Sequence, residues 1–104
     1  MENQKMAMEE IVKTIENLDE ITLKDTVSLM NSDDYKVRFI AEYMQLKIRY
    51  NNLHKMLIRH EAGTLNFTPT CDISILENQA YDMNNYLNAL EVRAEVEKII
   101  LPKI

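Results

Sequence analysis

Residues Val37–His60 read VRFIAEYMQLKIRYNNLHKMLIRH. Phe39, Tyr43, Leu46, Tyr50, Leu53 and Leu57 recur at alternating steps of four and three, the spacing that lines side chains along one face of an α-helix. No glycine or proline interrupts the run before Gly63, so the spacing predicts a helix of roughly 28 residues, about 40 Å long at 1.5 Å per residue. Ser32 is the expected N-cap, with Asp33 and Asp34 in the first turn, where carboxylates suit the positive end of the helix dipole. Arg59 and His60 place positive charge at the opposite end.

Downstream, AGTLNFTPTCD (residues 62–72) is the clear loop. Gly63 can adopt the left-handed conformation that ends a helix, and Pro69 disfavours helix at Thr68. Leu65 and Phe67 are expected to fold back onto the hairpin tip. Asp72 or Ser74, the latter three residues before Glu77, can cap a second long helix. Its core positions are Leu76, Ala80, Met83, Leu87, Leu90 and Ala94, with Tyr86 alongside, and Pro102 forbids its continuation. Upstream, Met8, Ile11, Ile15 and Leu18 predict an amphipathic helix, and Thr22, three residues before Asp25, opens a short helix through about Met30. The expected fold is therefore all-α: a long antiparallel helical hairpin, residues 32–104, preceded by one or two short N-terminal helices in an acidic segment, residues 1–31. Two helices give each other a single seam. Ile40, Met44 and Ile48, together with Tyr43, Tyr50 and Tyr86, widen the apolar surface beyond it, so the N-terminal helix or a second subunit must cover the remainder. A homo-oligomer is expected.

The chain has 104 residues, one glycine and two prolines, a composition for long helices rather than sheets. A single cysteine, Cys71, precludes an intrachain disulfide. The N-terminal MENQKMAMEEIVK carries acids where a secretory signal needs bases, and no apolar run approaches the roughly 20 residues that cross a bilayer. A soluble protein of the cytoplasm, without a membrane partner, is expected. The net charge of −5 is unevenly spread: residues 1–34 hold nine acids and three bases, residues 35–60 six bases and one acid, and residues 61–104 seven acids and three bases. An acidic chain does not coat long nucleic acid, which demands a broad basic surface.

Few residues offer reaction chemistry. His54 and His60 are six apart and diverge on a helix, whereas a two-histidine metal site on one helix wants a spacing of three or four. Cys71 lacks a visible base partner and reads as a packing or capping residue. Ser28, Ser32 and Ser74 sit where caps or surfaces account for them. With one glycine, the chain has no phosphate-cradling loop and no nucleophile elbow. The expectation is a protein that is not an enzyme, with neither metal nor cofactor. The basic helix remains. Its Lys36, Arg38, Lys47, Arg49, Lys55 and Arg59 either form a solvated face paired with acidic neighbours or bind an anion. Arginine grips phosphate through two parallel hydrogen bonds, and tyrosine rings offer faces on which a base stacks. Tyr35, Lys36, Arg38, Tyr43, Lys47 and Arg49, with Tyr50 near by, are the candidates for a small anionic nucleotide ligand.

The segments VRFIAEYMQLKIRYNNLHKML and LENQAYDMNNYLNALEVRAEV resemble the helical hairpin domain of phage anti-CBASS and anti-Thoeris sponge proteins, and more closely a group of small phage proteins termed crAss-phage-related. The matching positions are Arg38, Glu42, Leu46, Arg49 and Leu53 in the first helix, and Leu76, Gln79, Met83, Tyr86, Leu90 and Arg93 in the second. The likeness spans Tyr35 to Val96, and its polar matches carry most of the information. It implies an oligomer in the host bacterium's cytoplasm that binds a cyclic nucleotide or cyclic ADP-ribose immune signal without cleaving it, and it adds Tyr86 and Arg93 to the ligand-binding candidates. The rival expectation is a protein–protein inhibitor or adaptor whose acidic N-terminal region engages a basic partner, a host defence protein being one candidate, while the basic helix merely neutralises its neighbours.

Overall fold

A computed structural model describes residues 21–104. The amphipathic helix expected over Met8–Leu18 lies outside them. The described chain is all-helical: a 3-10 turn at Leu23–Thr26, then α1 (Val27–Met30), α2 (Tyr35–Ala62) and α3 (Ile73–Glu97). The two long helices pair as an antiparallel hairpin.

The short N-terminal elements begin at Thr22, whose N–H and hydroxyl both donate to the Asp25 carboxylate, at 2.8 and 3.3 Å. Helix α2 has the expected 28 residues but starts later than Ser32. Asp34 is its N-cap, because its carboxylate accepts the Lys36 N–H at 2.9 Å, while the Ser32 hydroxyl accepts the Asp34 N–H at 3.1 Å. Ser32 thus shapes the turn that presents the cap. At the other end Gly63 takes φ 76°, and its N–H reaches the carbonyls of Arg59 and His60.

Asp72 is the N-cap of α3, although its carboxylate makes no capping bond. The helix stops well before Pro102. Lys98 enters the left-handed region at φ 58°, and the N–H groups of Lys98 and Ile99 both close on the Ala94 carbonyl. This reversal buries Ile99 and turns the tail, with Leu101 and Ile104 half-covered, back against the core.

The seam is the one the spacing foretells, but burial is concentrated at the base of the hairpin. Phe39 and Tyr43 of α2 are buried with Leu87, Leu90 and Ala94 of α3. The second apolar face of α2, Val37, Ile40, Ala41, Met44 and Ile48, is also buried. The 3-10 turn and α1 pack on α2, where Leu29 enters the core and Gln45 donates to the buried Thr26 hydroxyl at 2.8 Å. They meet the need for a cover at the base end. Toward the tip Leu53, Met56 and Leu57 are only half-buried. Leu65 is half-buried at the tip, whereas Phe67 departs from expectation: it is 55 % exposed. No helix among the described residues is long and apolar enough to cross a membrane.

Candidate functional site

Residues seven apart on a helix stack along one line. Tyr35, Glu42, Arg49 and Met56 form such a line on α2, and Gln79, Tyr86 and Arg93 form one on α3. The antiparallel pairing sets the two lines side by side along one edge of the seam. At the base, the Tyr35 hydroxyl donates to Glu97 at 3.0 Å, and the Arg93 Nε donates to the same carboxylate at 3.2 Å. The Arg93 guanidinium lies 4.6 Å from the centre of the Phe39 ring, a cation–π contact with the buried seam. Midway, the Tyr86 hydroxyl donates to Glu42. Arg38, a turn further round α2, donates to the Ser32 carbonyl at 2.7 Å.

Toward the tip this edge opens into a cavity of 360 Å³ between the helices and the loop. Arg49 and Gln79 stand at its wall, Leu53, Met56 and Met83 supply thioether and aliphatic surface, and the loop contributes Phe67 and Thr70. Arg49 is the one charged side chain among its described lining residues. A lone guanidinium beside apolar surface, an aromatic ring and an amide can hold an anion that carries a flat, hydrogen-bonding body.

Not all the candidate residues share this edge. Tyr35, Tyr86, Arg93 and Arg49 do. Tyr43 lies on the other flank of the seam and borders a different cavity, formed with the C-terminal turn of α3 and the tail. Lys36, seven residues before Tyr43, and Lys47, four after it, fall on Tyr43's side of α2. There the Lys47 ammonium sits 5.9 Å from the Tyr50 ring centre, and Tyr50 stacks on His54 with centroids 5.6 Å apart.

Two phenols are displaced from the ordinary value. The Glu97 carboxylate that accepts its proton, then desolvation and neighbouring negative charge, push Tyr35 up. Burial, seconded by Glu91, pushes Tyr43 up. Both side chains therefore stay neutral donors across the physiological range. Phe67, expected at the tip, and Thr70 were not identified as lining a cavity, because that depends on how the loop folds over the tip. Gln79 carried a signal in its seven-residue spacing with Tyr86 and Arg93.

A family model described as Sequestin matches residues 33–96, well over half of the chain, from just before α2 almost to the end of α3. No curated protein and no solved structure matches.

Proposed function

The chain belongs to the Sequestin family, and on that premise we propose that it is a non-catalytic sponge: it binds a small anionic nucleotide-type signal at the tip cavity and holds it intact. The observation that carries this reading is the pairing of the Arg49 guanidinium, which has no salt-bridge partner among the described residues, with apolar walls and the Gln79 amide. Phosphate would engage Arg49, a base would lie against Phe67 and the methionines, and Gln79 would meet a polar base edge. Glu97 is paired with Arg93 and Glu42 accepts from Tyr86 further down the edge, and neither carboxylate lines the tip cavity. Family membership supports sequestration as the purpose. The sequence likeness to phage sponge hairpins suggests cyclic nucleotides or cyclic ADP-ribose isomers made by bacterial immune enzymes as the ligand class, and evasion of that immunity as the role.

Thermal denaturation in the presence of cyclic di- and trinucleotides and cyclic ADP-ribose isomers tests the proposal, since a ligand of the folded state raises the melting temperature. A selective rise that disappears in Arg49→Ala is expected. A panel without any shift, or a shift that Arg49→Ala leaves intact, contradicts the assignment.

A further inference from the structure

The opposite flank holds a second concavity that the sponge reading does not use. It measures 950 Å³ and lies between the last turns of α3, the tail and Tyr43. Two helical neighbours four residues apart, Glu91 and Glu95, supply carboxylates to its wall, while Val92, Ile100 and Leu101 supply apolar surface. Tyr43 is only 6 % exposed, yet no described residue hydrogen-bonds its hydroxyl. Tyr43 lines the cavity, and the negative charge of Glu91, another lining residue, acts on its phenol, so the hydroxyl lies on the cavity side. The site therefore presents two carboxylates and a phenol oxygen, all able to accept, beside aliphatic surface. Lys98 at the rim offsets only one of the two charges.

We propose that this pocket binds a primary ammonium group carried on an aliphatic chain. An ammonium has three N–H donors, which match the two carboxylates and the phenol oxygen, and its methylenes would cover the surface of Val92, Ile100 and Leu101. The exposure of Val92 and Ile100, 63 % and 75 %, is what such a chain would relieve. The same chemistry has two sources: a free alkylamine or polyamine, or a lysine side chain of a partner polypeptide.

Titration of the isotopically labelled protein, followed by NMR, with pentylamine, with spermidine and with a short peptide bearing one lysine between apolar residues tests this. Shifts confined to Tyr43, residues 88–98 and the tail are expected. Glu91→Gln with Glu95→Gln should weaken binding about tenfold or more, as loss of charge-assisted hydrogen bonds does. Tyr43→Phe should weaken it less while keeping the ring. Tighter binding of spermidine than of the peptide identifies a free amine as the ligand, and the reverse identifies a partner's lysine. No saturable shift with any of the three probes, or equal binding by the double carboxamide variant, overturns the proposal. Arg49→Ala should leave this flank unaffected, so its failure and that of the nucleotide site are separable.

Discussion

Arg49 and Gly63 illustrate how differently single residues can be read. Arg49 stood out in the sequence as a base on an apolar helix, but its importance comes from what surrounds it: with loop residues and α3 it lines a cavity in which it is the one charge among the described lining residues. Gly63 needed no neighbours to be understood. Its φ of 76° is a backbone requirement, and a Cβ there would meet nothing within 4 Å. Gly63→Ala should therefore cost about 1 kcal/mol through backbone strain alone. Lys98, at φ 58°, is the converse, and Lys98→Gly should raise stability by up to about 1 kcal/mol. Urea midpoints at unchanged slope measure both; a stabilised Gly63→Ala would contradict the left-handed cap. The raised phenols give a pH prediction. A phenol whose folded pKa exceeds the unfolded one contributes stability that is fully present below the ordinary value of 10.0 and is lost as pH climbs through the raised value. Tyrosinate absorbance should thus contain a late component, beyond pH 10, that shrinks in Tyr35→Phe and again in Tyr43→Phe. Variants that leave the late component unchanged would show that it arises elsewhere.

At the scale of elements, the alternating three-and-four spacing made both long helices and their seam legible, because that period is a local property of the chain. Their ends were less so. Ser32 and Asp34 are both good caps, and only the folded turn decides that Asp34 reaches the Lys36 N–H. Pro102 pointed to a stop that Lys98 had already made, since burial of Ile99 outweighs the left-handed cost. The two edges of the seam were not legible as separate sites: one helix shows its own lines of residues, but which line of α3 meets them depends on register. The uneven core gives a test. Leu87 is buried at the base, whereas Leu57 is half-exposed near the tip. Leu87→Ala should cost about 2–5 kcal/mol by cavity formation, and Leu57→Ala distinctly less. Amide exchange should be fastest in the tip half of both helices. Equal costs at the two positions would contradict a base-centred core.

For the whole molecule, the charge layout of the sequence becomes intelligible. An acidic chain concentrates half of its twelve bases on α2, where Arg49 faces a cavity with no acid among its described lining residues, while Glu91 and Glu95 of α3 border the other flank. Binding at the tip should weaken as salt rises, since attraction between phosphate and guanidinium at a partly exposed site is screened; salt-independent affinity would point to an apolar ligand instead. The expected homo-oligomer is a further proposal at this scale, motivated by the exposed Ile75, Tyr81 and Val96 on α3, and sedimentation at several protein concentrations measures it. A single monomeric species throughout would refute it. The central claim is that the protein holds a nucleotide signal without cleaving it. The most direct measurement is to load the protein with the ligand that raises its melting temperature, remove free ligand, denature the protein by heat and weigh the released molecule by mass spectrometry. Stoichiometric release of the unaltered ligand is the predicted result; linearised or fragmented ligand, or none retained, would contradict it.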